Sequence, residues 1–135
     1  MHNGREGQPM ETRQKLLLVE DEEELVRIVQ TYFRDEGFEV RIALNGEEAL
    51  IVLREFLPDV IVSDVKMGQM DGFEFVQTIR KLPALGKIPV IFLTIMDDRS
   101  SVERAAKLGA SAYMTKPFDV EELHEKIIEI LSDRP

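Results

Sequence analysis

The first residue whose position suggests chemistry is Asp64, at the end of what should be a buried strand. Val60, Ile61 and Val62 are all apolar, which suits a strand covered on both faces of a parallel sheet. In open parallel α/β sheets, ligands and chemistry lie just beyond the carboxyl ends of the strands. A carboxylate there is a candidate nucleophile or metal ligand. Asp is also a common turn former, so Asp64 alone decides nothing. Three other strand ends carry polar residues too: Glu20 and Asp21 after Lys15 to Val19, Thr94 after Ile88 to Leu93, and Lys116 after Ala110 to Met114. Three carboxylates brought together repel. Mg2+ resolves this, because it binds through one or two carboxylates, keeps several waters and can add phosphate oxygens. Lys116 offers a point charge and Thr94 a hydroxyl. A carboxylate nucleophile, a divalent ion, an ammonium and a hydroxyl are the parts for phosphoryl transfer to an aspartate, where catalysis is in-line positioning plus charge neutralisation.

The elements that must position these residues follow from periodicity. Met1 to Gln14 is polar and aperiodic and reads as a flexible tail; the folded domain is expected over 15–132. After the first strand, helical spacing of Leu25, Ile28, Val29, Tyr32 and Phe33 predicts a helix from Glu22 to Glu36, stopped by Gly37. Phe38 to Ile42 is a second strand, and Asn45 can cap a helix that Leu57-Pro58 ends. A third helix is expected from Gly72 to Lys81. The fourth, Asp97 to Leu108, has a thin inward set of Val102, Ala105, Ala106 and Leu108, and weakly anchored elements are the ones that move. Asp119 to Leu131 is the last helix. Five strand–helix alternations argue a single doubly wound parallel α/β sheet with five helices and right-handed crossovers.

Composition narrows the function classes. The chain has 135 residues, no cysteine and a formal net charge of −9. Thiolate chemistry is out. The acidic balance argues against direct binding to nucleic acid or anionic membrane, and no apolar run approaches a membrane span. A cytoplasmic location is the expectation.

The motifs together resemble the receiver domain of two-component response regulators. The matching stretches are Leu-Leu-Val-Glu-Asp-Glu (17–22), Val-Ser-Asp-Val-Lys-Met-Gly-Gln-Met-Asp-Gly (62–72), Phe-Leu-Thr (92–94) and Gly-Ala-Ser-Ala-Tyr-Met-Thr-Lys-Pro-Phe (109–118). The resemblance implies a flavodoxin-like sheet of strand order 2-1-3-4-5. It implies that Asp64 accepts a phosphoryl group and that Glu20, Asp21, Asp64 and the backbone carbonyl of Lys66 hold Mg2+. It further implies that Lys116 bridges to the phosphoryl oxygens, with a cis bond to Pro117, and that Thr94 and Tyr113 switch together. The implied partners are a sensor histidine kinase or histidine phosphotransfer protein. An output domain or downstream protein would be met through the 97–131 face, with a homodimer among the options. The implied protein is a signalling phosphoacceptor that catalyses only its own phosphoryl chemistry.

Several positions depart from that pattern. Gly68 stands where Pro is usual, which should leave the loop less stiff. Ile95 follows the switch threonine where a small residue is usual, and Lys66 lies where attacking water must arrive. His124 is expected on a solvated helix face. The alternatives are a receiver-shaped module that is never phosphorylated, and a Mg2+-dependent phosphohydrolase. The second is disfavoured by Lys66, which stands where such enzymes carry a general acid. A flavodoxin-like cofactor binder is disfavoured by Glu20 to Glu24, which would repel a phosphate.

Overall fold

The structure is a computed structural model and describes residues 13–133. The expected tail therefore lies largely outside the described residues. Gln14 extends the first ladder, its carbonyl accepting from Glu39 N at 2.9 Å.

The elements run β1 (Lys15–Val19), α1 (Glu23–Asp35), β2 (Glu39–Ala43), α2 (Gly46–Val52), β3 (Val60–Ser63), α3 (Gly72–Arg80), β4 (Val90–Thr94), α4 (Arg99–Lys107), β5 (Ala112–Thr115) and α5 (Val120–Ser132). All strand pairs are parallel, in the order β2-β1-β3-β4-β5. The central strands β1, β3 and β4 are almost wholly buried, because helices cover both faces of a parallel sheet.

Side chains alternate between two apolar layers, as the two-residue period of a strand requires. Leu17, Val19, Ile61 and Phe92 pack with Phe73, Val76 and Ile79 of α3 and with Ala49 and Ala105. Leu16, Leu18, Val62 and Leu93 pack with Leu25, Val29 and Phe33 of α1 and Leu123 and Ile127 of α5. Among the described residues no helix is long and apolar enough to cross a membrane.

Three strands begin later than the sequence pattern suggests, and for two of them a helix end lies just before. Gly37 (φ 93) and Gly109 (φ 77) are left-handed. Gly37 N donates to Arg34 O and Phe38 N to Phe33 O; Gly109 N donates to Ala106 O and Ala110 N to Ala105 O. Both are Schellman motifs. They engage the N–H of Phe38 and Ala110, so β2 starts at Glu39 and β5 at Ala112. At β4, Pro89 has no N–H to give, and the strand starts at Val90 rather than Ile88. Helix α2 ends at Val52 rather than near Leu57, as Arg54 N and Glu55 N turn to the carbonyls three residues back.

Two corrections concern packing. In α4, Val102 and Ala106 are exposed; the buried residues are Ser101 and Ala105. A serine took the inward place because its hydroxyl folds back onto Asp98, the N-cap. His124 is not on a solvated face. Its Nδ1 lies 2.8 Å from the Tyr32 hydroxyl, and its ring meets Phe33 and Phe38 edge-on. Its Nε2 is buried without a hydrogen-bond partner. The aromatic end of α1 covers it.

Gly72 fixes how closely α3 approaches the end of β3. Its N–H donates to Val65 O at 2.7 Å, and an added Cβ would collide with the Asp64 carbonyl oxygen. Gly72→Ala should therefore cost about 1–3 kcal/mol of stability. Gly46→Ala should cost less, since its Cβ would meet only the flexible Met70 side chain. Urea unfolding of the two variants checks the order; equal losses would show that the backbone approach at Gly72 is not tight.

Candidate functional site

Parallel register brings the strand ends together. Val19 pairs with Ser63, so the residues that follow, Glu20 and Asp64, leave the sheet side by side, and Asp64 N donates to Val19 O at 3.0 Å. Thr94 pairs with Thr115, and Lys116 N donates to Thr94 O at 2.9 Å. The Lys116–Pro117 peptide is cis.

Lys116 carries its ammonium to the centre of this group. Its Nζ lies 2.8 Å from Asp64 Oδ2, 3.1 Å from Glu20 Oε1 and 3.7 Å from Glu22 Oε1. Glu20 and Asp64 are both buried. Asp64 Oδ1 accepts from Val65 N at 2.6 Å and Lys66 N at 3.3 Å. Glu20 Oε2 accepts from Glu22 N at 3.1 Å.

Burial pushes the Glu20 pKa above the usual carboxylate value, and the bonds from Glu22 N and Lys116 only partly offset it. Burial would lower Lys116, but the hydrogen bonds to Asp64 and Glu20 outweigh it and leave its pKa raised. At this site desolvation wins for the acid and pairing wins for the base. The site holds more negative charge than one ammonium neutralises.

The remaining residues sit at the rim. Asp21 is exposed and Lys66 is exposed. Thr94 is fully buried; its Oγ accepts from Met96 N at 3.2 Å, and its hydroxyl proton has no acceptor among the described residues. The Tyr113 hydroxyl donates to Met96 O. Thr94 and Tyr113 are thus joined through the backbone of one residue, Met96, whose N–H meets Thr94 and whose carbonyl meets Tyr113. Burial first, and then Asp98, Asp97 and Asp64, raise the Tyr113 pKa.

Sequence reasoning missed two contributors. Met96 acts through its backbone, for which no side-chain signal exists. Glu22 reads as a helix-start acid; it stands at the N-cap position of α1 without a side-chain capping bond, and its carboxylate approaches Lys116 instead. In the loop, Gly68 has φ 38, which proline cannot adopt.

The donor set is all oxygen: two buried carboxylates and the exposed Asp21 at the same edge. That is the ligand chemistry of a hard divalent cation. Among the described residues no three acidic side chains are already gathered around one metal position. Lys116 stands between Glu20 and Asp64 instead.

Comparison with known proteins places this fold in a family. The family model for the response regulator receiver domain matches residues 16–128, so the chain belongs to that family and to two-component signalling. It is 43% identical over 108 residues to the probable transcriptional regulator ycf29 of Porphyra purpurea, covering 80% of this chain and 52% of that protein. It is 36% identical over 118 residues to the response regulator Rre1 of Synechocystis, covering 87% and 51%. The chain spans about half the length of these curated relatives. Among solved structures, the chemotaxis response regulator CheY4 of Vibrio cholerae superposes with a TM-score of 0.82 at 33% identity, covering 88% of this chain and 99% of that one.

The charge balance yields a stability prediction. Lys116→Met leaves Glu20 and Asp64 buried without their ammonium, which should cost about 3 kcal/mol near neutral pH. Glu20 already titrates above its unfolded value of about 4.5, and losing the ammonium raises it further. A raised carboxylate gives stability that is full below the unfolded pKa and lost as pH rises through the folded one. The deficit of the variant should therefore shrink on acidification. Thermal melts of both proteins across pH check this; a deficit independent of pH would overturn it.

Proposed function

We propose that Asp64 is the phosphoacceptor of this receiver, taking a phosphoryl group from a phosphohistidine of a sensor kinase or histidine phosphotransfer protein. The observation that carries the reading is the buried Asp64 carboxylate held between Val65 N and Lys116. An Asp64 oxygen attacks phosphorus in line. The P–O bond forms as the P–N bond breaks, and the imidazole leaves with a proton from solvent. Val65 N and Lys66 N orient the carboxylate, and Lys116 lies close enough to follow charge from the carboxylate onto the phosphoryl oxygens.

Glu20, Asp21, Asp64 and the Lys66 carbonyl would hold Mg2+, which would supply neutralisation of the excess negative charge during phosphoryl transfer. Relief of the strained Glu20 charge favours that binding.

The acyl phosphate adds about −1.5 to −2 charges and three acceptors. Thr94 has an unused hydroxyl proton to offer them. If Thr94 turns to the phosphoryl group, Met96 N loses its acceptor, and Met96 O, which holds Tyr113, moves with it. That loosens the segment leading into Asp98 and α4. The α4–β5–α5 face would be the surface that an output domain or downstream protein reads.

Intact mass after treatment with acetyl phosphate tests the chemistry. A gain of one phosphoryl group that needs both Mg2+ and Asp64, and is lost in Asp64→Asn, is expected. No gain under conditions where Mg2+ is seen to bind would leave a binding module only. The lifetime of the acyl phosphate tests the rim. Ile95 is 69% exposed and lines a recess with Lys116 and Pro117; Lys66 stands beside the loop. Lys66→Asn and Ile95→Ala together should shorten the lifetime several-fold, and an unchanged lifetime would show that neither side chain shields the site.

A further inference from the structure

At the opposite end of the sheet the charge pattern reverses. The chain carries 26 Asp and Glu against 17 Lys and Arg. A recess of about 630 Å3 between the end of α3, the loop before β4 and the end of α4 is nevertheless lined by Arg80, Lys81, Lys87 and Lys107, and by no acidic residue. None of the four is in an ion pair among the described residues. Lys81 also borders a second recess holding Glu47 and Glu74, and neither reaches it.

The recess is pre-formed. Arg80 donates to Leu108 O at 2.9 Å, Ile88 O at 2.8 Å, Gly86 O at 3.2 Å and Gly109 O at 3.3 Å. These neutral acceptors tie together the three segments that form its wall, but they leave the charge unpaired. Burial lowers the Arg80 pKa, although a guanidinium stays protonated. Free donors remain around it: the three ammonium groups, the Gln77 amide and the Ser111 hydroxyl have no bond among the described residues.

Helix dipoles explain part of this, since cations are favoured at helix C-termini. They do not explain why cations from two helix ends border one concavity, or why Lys87 on the loop joins them. Converging like charges repel unless an anion joins them. Three ammonium groups from three elements suit charge spread over more than one group. The volume suits a small molecule, and the net charge of −9 opposes a long polyanion.

We propose that this recess binds a small molecule bearing a short chain of phosphates, at a site separate from Asp64. Inorganic triphosphate and a nucleoside triphosphate share that chemistry. The test is a titration of the whole chain with each, without Mg2+, followed by backbone amide shifts in NMR.

Saturable shifts confined to 80–89 and 107–111 are expected, with at least tenfold weaker binding in the Lys87→Gln/Lys107→Gln double variant. A Lys15→Gln/Lys126→Gln control, which removes equal charge elsewhere, should bind as the parent does. Equal affinity for the two probes would mean that the phosphate chain alone is read; tighter nucleotide binding would mean that the nucleoside is read as well. Absence of saturation, shifts centred on Asp64 and Lys116, or equal loss in both double variants would overturn the proposal.

Discussion

Glu20 and Asp64 are taken out of water at neighbouring strand ends, and a single ammonium stands between them. Each buried carboxylate would be costly alone. Parallel register makes their proximity unavoidable, because Val19 and Ser63 are partners in the ladder. The neutralising Lys116 comes from β5, the half-exposed edge strand. Its backbone is tied to β4 by the Lys116 N to Thr94 O bond. The charge balance of the site therefore depends on the least buried strand of the sheet keeping its place, and any change in charge at Asp64 is felt first by β5 and by Thr94.

Helix α4 is held unevenly. At its C-terminal end, Arg80 bonds Leu108 O and Gly109 O and joins them to the entry of β4. At its N-terminal end, the Met96 peptide between Thr94 and Tyr113 leads into Asp98. Between them the buried side chains are only Ser101 and Ala105, with Arg104 over the Phe73 ring at 4.7 Å. One end is clasped to the sheet, and the other hangs from Thr94 at the end of β4.

Most of the fold and the principal side chains were legible in the sequence because buried parallel strands leave a clear mark. Short apolar runs followed within two residues by Glu20, Asp64, Thr94 and Lys116 show both the strand and its candidate site residue. What was not legible depends on backbone. The Schellman bonds that delay β2 and β5 use N–H groups, and the link from Thr94 to Tyr113 runs through the N–H and carbonyl of Met96. His124 was misplaced because its neighbours Tyr32, Phe33 and Phe38 are some ninety residues away in sequence. Ser101 carried no signal, because a serine bonded to its own N-cap looks polar in a sequence and behaves as buried in the fold.

Magnitudes decide which helix such a site can move. Carrying a two-state equilibrium from 1:99 to 99:1 takes about 5.5 kcal/mol of differential binding. The holds on the N-terminal part of α4 are two hydrogen bonds at about 1 kcal/mol each and an Arg–Phe contact of about 0.5–2 kcal/mol. Their sum is of the same order as what one phosphoryl group can redistribute through charge-assisted bonds to Lys116 and Thr94. Helix α1 buries Leu25, Val29 and Phe33, and α5 buries Leu123 and Ile127, each worth about 1.5–3 kcal/mol. The anchors total about 4.5–9 kcal/mol for α1 and about 3–6 kcal/mol for α5, against about 2.5–4 kcal/mol for the N-terminal part of α4. If Asp64 is the phosphoacceptor as proposed, its modification would act first on α4, the helix with the weakest holds.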